Sequence, residues 1–254
     1  MKVIILQHDI KWACPADNQH HLEDLLLQQP KADLFVLTEM FSTGFATEPE
    51  GIAESDGSSL CWMQQMANKL DAAIAGSVAT EENSRFYNRF YFVEPNGQVT
   101  WYDKRHLFTY GGEDKHFTPG NKRVIVSFRG TRFVLQVCYD LRFPVWSRNR
   151  GDYDAIIYVA SWPSSRIEVW KTLLRARAIE NQSFVIGVNR IGKDLKCEYQ
   201  GGSAIIDPYG RTVAELFDFQ EATAIAEIDM NELEAFRKKF PVLNDADNFE
   251  MNKY

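Results

Sequence analysis

Apolar residues in this chain fall in short, dense runs separated by polar turns. Residues 3–6, 34–37, 73–78, 133–137, 155–160 and 184–188 are largely apolar on successive positions, as in strands covered on both faces. Residues 222–228 add a final strand. Helical spacing appears at Leu22, Leu25 and Leu26 between Pro15 and Pro30, and at Leu60, Met63, Ala67 and Leu70 after a Ser58 or Ser59 cap. Ile167, Trp170, Leu174 and Ala178 form a third stripe, predicting a helix over 165–182. Pro95-Asn96-Gly97, Arg129-Gly130 and Pro208-Tyr209-Gly210 mark hairpin turns. Residues 109–121 are rich in glycine and polar side chains without periodicity, which predicts a long surface loop. No repeat, low-complexity tract or linker interrupts the pattern. One α/β domain over residues 1–254 is expected.

Composition narrows the class. The chain has 254 residues, 45% hydrophobic and 25% charged, an ordinary balance for a globular protein. Its net charge of −7, without a basic block, argues against nucleic-acid and anionic-membrane partners. Cys14, Cys61, Cys138 and Cys197 are scattered with no CxxC pair, so neither a disulfide framework nor a metal site is expected. No ligand cluster suggests a cofactor, and none is expected. With no apolar leader before the first strand and no run of membrane-spanning length, a cytoplasmic location is expected, where a thiol stays reduced.

Candidate chemistry begins with Cys138. It ends the run 133–137 and is followed by Tyr139, Asp140, Arg142 and the strand-breaking Pro144. A thiol held at such a turn has little freedom, and the next backbone N–H, that of Tyr139, would point towards whatever the sulfur attacks. A single buried cysteine is more often a small core residue. Other strands, however, also run out into polar residues, Glu39 and Lys104, and strand ends on one rim are where distant residues meet. None of the five histidines sits in a Cys–His signature, and Gly-x-Ser-x-Gly is absent. Glu39 could serve as base if burial raises its pKa, with Lys104 supporting thiolate and oxyanion.

The segments LTEMF, YDKRHLF and QVCYDLRFP, in that order, resemble the three motifs of the nitrilase (carbon–nitrogen hydrolase) superfamily. TPGN, RARAIENQ and GGSAIIDPYG extend the resemblance over nearly the whole chain, and CYDLRFP is most similar to the ω-amidase branch. Thr38, where many relatives have proline, and Ser161, where many have asparagine, depart from the pattern. The resemblance implies a four-layer αββα sandwich of the nitrilase type and a homodimer formed across helices 143–150 and 165–182. It implies Glu39 as general base, Lys104 as oxyanion partner, Cys138 as nucleophile and Glu113 as a second active-site glutamate. It implies substrate contacts from Tyr139, Trp162 and Arg142, the last gripping a carboxylate as in related carbamoylases. The alternative for Arg142 is a brace against Asp140. The implied reaction converts an ω-monoamide of a dicarboxylic acid, such as 2-oxoglutaramate, to acid and ammonia through a thioester. N-carbamoyl hydrolysis, nitrile hydrolysis and a silent binding protein are the alternatives.

Overall fold

The computed structural model describes residues 1–251, so the last three residues of the expected domain lie outside the described residues. The first half carries β1 (Lys2–Gln7), α1 (Pro15–Leu27), β2 (Leu34–Val36), α2 (Ser58–Leu70), β3 (Ala73–Glu82), β4 (Arg85–Val93) and β5 (Val99–Asp103). The hairpin β6 (Ile125–Phe128) and β7 (Thr131–Val137) follows, then α3 (Pro144–Ser147), β8 (Ala155–Ala160), α4 (Ile167–Asn181) and β9 (Phe184–Asn189). Short strands β10 (Ile191–Lys193), β11 (Glu198–Gln200), β12 (Ala204–Ile206) and β13 (Thr212–Glu215) lead to β14 (Ala222–Glu227) and α5 (Met230–Lys239).

Two six-stranded sheets result, ordered β14-β1-β2-β3-β4-β5 and β13-β12-β9-β8-β7-β6. Each has a parallel centre, β1-β2-β3 and β7-β8-β9, flanked by antiparallel strands. Period-two alternation explains the layering. In the first sheet Val3, Ile5, Leu34, Val36, Phe90 and Phe92 face the second sheet's Phe133, Leu135 and Ile157 in one core. The alternate residues Ile4, Leu6, Phe35, Leu37 and Tyr91 pack outward on Leu22 and Leu26 of α1 and Met63 and Met66 of α2. Helix α4 covers the far side of the second sheet through Trp170, Leu174 and Ala178. Gly187 on β9 permits that approach, since a Cβ there would sit 2.5 Å from Leu174. This is the expected αββα sandwich.

Several local expectations change. Ser58 and Ser59 do not cap α2; the N-cap is Gly57, and the buried Glu54 carboxylate accepts the Ser59 N–H at 2.8 Å. A side chain from the preceding loop thus replaces the local cap, at the end where the helix dipole favours an anion. The helix expected over 143–150 is one turn, Pro144–Ser147, because a proline opens it and Arg148 turns extended. Residues 109–121 contain two short 3-10 turns and the fully buried Glu113, so they are only partly a surface loop. The β10–β11 hairpin and α5, N-capped by Asp229, were not anticipated. Among the described residues no helix is long and apolar enough to cross a membrane.

His8, just past β1, is buried with its Nε2 3.3 Å from the Thr38 hydroxyl. Burial pushes its pKa down to about 3; the Leu6 carbonyl opposes this, while Arg190 and His21 add to it. The folded protein therefore refuses a proton that the unfolded chain accepts below its ordinary pKa of 6.5. Stability from this residue should be full above about pH 6.5 and fall by roughly 1.4 kcal/mol per pH unit as pH drops towards 3. Urea unfolding at stepped pH checks this. The slope should flatten in His8→Gln, and an unchanged slope would assign the acid lability elsewhere.

Candidate active site

Glu39, Lys104 and Cys138 follow β2, β5 and β7, whose C-terminal ends lie on one rim where the two sheets face each other. Lys104 is fully buried. Its ammonium donates to Glu39 Oε1 at 2.9 Å and to both Glu113 oxygens at 3.0 and 2.9 Å. Glu113 also accepts the Phe108 backbone N–H at 2.6 Å, which ties the 3-10 segment onto the site. The TPGN turn supports Lys104 from behind: the Gly120 N–H donates to the Lys104 carbonyl, and a Cβ on Gly120 would collide with the Asp103 backbone.

Asn88 was not foreseen. Its amide donates to Glu39 Oε1 at 2.8 Å and to Glu113 Oε1 at 3.2 Å, while its own oxygen accepts from Ser77. An asparagine amid the apolar β4 sequence RFYNRFYFV was the available signal. The second Glu39 oxygen accepts the Ser161 backbone N–H at 2.7 Å. Since the contact is made by the backbone, serine can stand where relatives carry asparagine.

Two residues here have left-handed backbone: Cys138 at φ 44° and Met40, next to Glu39, at φ 46°. Such conformations are strained for residues with a side chain. Asp140 holds the cysteine turn, accepting the Val137 N–H at 2.9 Å and the Tyr102 hydroxyl at 2.8 Å through Oδ2. Its Oδ1 takes the His106 N–H and lies 2.8 Å from the His106 ring. Asp140 is thus fully engaged without Arg142, which rests instead over the Trp162 ring, 5.0 Å from its centroid. His106 faces Asp140 and stacks on Phe143, as the absence of a Cys–His signature implied.

Electrostatics follow from burial. Burial works against the Lys104 charge, but Glu113 and Glu39, with Cys138 adding, outweigh it and raise its pKa. Burial raises Glu113; Lys104 opposes this and Glu39 reinforces it. Burial also pushes the Cys138 thiol well above its ordinary range, Glu39 and Glu113 add to this, and Lys104 alone opposes it strongly. Burial, Glu39 and Glu113 thus favour the protonated thiol at Cys138, while Lys104 favours the thiolate.

Over Cys138 opens a pocket lined by Phe45, Phe108, Tyr139, Arg142, Trp162 and Arg166, among others. Tyr139 packs edge-on against Phe108 and Phe143, and Trp162 donates its indole N–H to the Arg166 carbonyl at 2.9 Å. Every site residue expected from sequence thus lies at Cys138 or in this pocket and its floor. Arg166, Phe45 and Tyr199 join it without having been singled out from the sequence. No group of three or more His, Cys, Asp or Glu suited to a metal ion occurs among the described residues.

Residues 2–238 match the carbon–nitrogen hydrolase family. The chain is 46% identical over 253 residues to Omega-amidase YafV of Escherichia coli K12, covering 99% of this chain and 98% of that protein. It is 37% identical to the 2-oxoglutaramate amidase of Bacillus subtilis, over 94% and 95% of the two chains. A CN-hydrolase superfamily protein of Xanthomonas campestris, solved with an arsenic adduct in its active site, superposes with a TM-score of 0.96 at 40% identity, covering 99% of each chain. This chain belongs to the carbon–nitrogen hydrolase family.

The electrostatics generate a test. Alkylation of Cys138 by iodoacetamide should keep rising above pH 9, where an ordinary thiol levels off. Glu39→Gln removes a charge that holds the thiol protonated, so alkylation at pH 8 should accelerate, on the order of tenfold for each pKa unit relieved. Peptide mapping with the exposed Cys14 as internal reference checks this. A slower or unchanged rate at Cys138 would contradict the assigned cause.

Proposed function

We propose that the protein hydrolyses the primary amide of dicarboxylic acid ω-monoamides, such as 2-oxoglutaramate, releasing ammonia through a Cys138 thioester. The observation that carries this reading is Arg142. Its guanidinium lines the pocket above Cys138, is half-buried against Trp162 and forms no ion pair among the described residues. A shielded, unpaired guanidinium in a pocket calls for a carboxylate from the substrate. The relatives named as ω-amidase and 2-oxoglutaramate amidase support the same substrate class.

In the proposed reaction Glu39 takes the thiol proton as sulfur attacks the amide carbon. The oxygen's new negative charge is met by Lys104 and the Tyr139 N–H. One bifurcated Lys104 N–H can serve Glu113 and another Glu39, leaving the third for this oxygen. Glu39 passes its proton to the nitrogen, the C–N bond breaks, and ammonia leaves. Water then attacks the thioester as Glu39 accepts its proton. Collapse expels the sulfur, Glu39 returns the proton to it, and the acid departs. Glu113 acts as a positioning residue, fixing the ammonium and keeping it charged. Trp162 and Tyr139 wall the pocket. A cytoplasmic homodimer is part of the same proposal, by analogy with the family.

An ammonia-release assay over ω-amides, carbamoyl amino acids, nitriles and simple aliphatic amides tests the class. ω-Monoamides should be preferred; preference for carbamoyl or nitrile substrates would overturn the assignment, and silence throughout would favour a binding role. Cys138→Ala should abolish turnover with folding intact. Arg142→Lys should lower kcat/KM for carboxylated ω-amides by ~10²-fold, about 2–3 kcal/mol for a lost charge-assisted pair, and scarcely affect an uncharged amide. Equal losses on both would make Arg142 structural.

A further inference from the structure

The pocket holds a second arginine that this reaction leaves without a task. Arg166 closes the single 3-10 turn Ser164–Arg166 between β8 and α4, and its half-buried guanidinium lies over the Phe108 ring, 5.4 Å from the centroid. It lines the same pocket as Cys138 and Arg142, and it too forms no ion pair among the described residues. Local structure does not favour it. Arg166 is the N-cap of α4, makes no side-chain cap, and sits where the helix dipole repels a cation. Its backbone already serves the fold by accepting the Trp162 indole N–H, a contact any residue could provide. The side chain's charge is therefore unexplained by folding.

The pocket's charge distribution says what it could read. Among the described residues, Arg142 and Arg166 are the charged side chains on its walls, leaning on two different aromatic rings, Trp162 and Phe108. One guanidinium satisfies a carboxylate through two parallel hydrogen bonds. The second, on the other wall of the same pocket, offers further donors and no acceptor. A carbonyl oxygen there would be bound, a methylene would leave the donors unmatched, and an ammonium would be repelled by both cations.

We propose that Arg166 is a specificity-determining substrate contact that binds the 2-oxo group of a 2-oxo acid ω-amide beside the carboxylate held by Arg142. It thereby selects keto acids over saturated acids and amino acids. This rests on the ω-amide reading above and deepens it.

The test compares 2-oxoglutaramate with glutaramate, which has the same length, amide and carboxylate but no oxo group, and with L-glutamine, which carries an ammonium instead. Wild type should prefer them in that order. Arg166→Met should lower kcat/KM for 2-oxoglutaramate roughly 30-fold, mainly through KM, and change glutaramate less than about threefold; Arg166→Lys should recover part of the loss. Arg142→Lys should reduce both acids alike. Equal losses on both acids in Arg166→Met, or loss confined to kcat, would overturn the Arg166 assignment while leaving the ω-amide reading intact. If wild type favours uncharged amides over both acids, the ω-amide reading itself fails.

Discussion

The buried Lys104 ammonium, held between Glu39 and Glu113, is the interaction on which the rest of this structure depends. Removing an ammonium and two carboxylates from water carries a penalty of several kcal/mol per ion. It is offset only when every donor and acceptor is matched, and here three further groups from separate segments complete the matching. Asn88 bridges the carboxylates, the Phe108 N–H takes one Glu113 oxygen, and the Ser161 N–H takes the free Glu39 oxygen. Such a cluster contributes little to net stability. The interdigitated core between the sheets must supply the stability that tolerates it.

The same core tolerates strain. Left-handed backbone at Cys138 and Met40 costs on the order of 1–3 kcal/mol per residue, and each turn is braced by a buried polar side chain. Asp140 braces the cysteine turn, and the Ser77 hydroxyl accepts the Met40 N–H at 3.0 Å. Both turns thereby hold Cys138 and Glu39 on the same rim of the two sheets. Their proximity keeps the sulfur protonated, because a thiolate beside a carboxylate in a dry site is disfavoured. In the proposed reaction this fits a thiol deprotonated by Glu39 only as substrate engages.

Charge is also divided by depth. The floor combines one ammonium with two carboxylates, whereas the charged side chains of the upper pocket are arginines. In the proposed reaction this division would draw an anionic substrate end to the walls and leave the neutral amide facing the sulfur.

Short apolar runs, three hairpin signals and three polar strand ends marked the strands and the candidates Glu39, Lys104 and Cys138, because these are local patterns read along one strand at a time. The two-sheet sandwich and the grouping of the three residues came from the resemblance of LTEMF, YDKRHLF and QVCYDLRFP to the nitrilase superfamily. Whatever depended on how a loop folds back onto its neighbours, near or distant in sequence, was not legible. Glu54 caps α2 from outside the helix, Glu113 is buried because a loop folds inward onto Lys104, and Arg142 bypasses its near neighbour Asp140 because other partners consume that carboxylate. Asn88 and Arg166 carried even less signal, one a polar residue in a strand and the other a surface-like arginine at a helix start. The sequence by itself determined most of the strands and main helices and the side chains that end the strands, though not the β10–β11 hairpin or α5. Tertiary structure alone decided which charges are paired, which are buried and which remain free for a ligand, since desolvation and pairing depend on neighbours that only folding brings together.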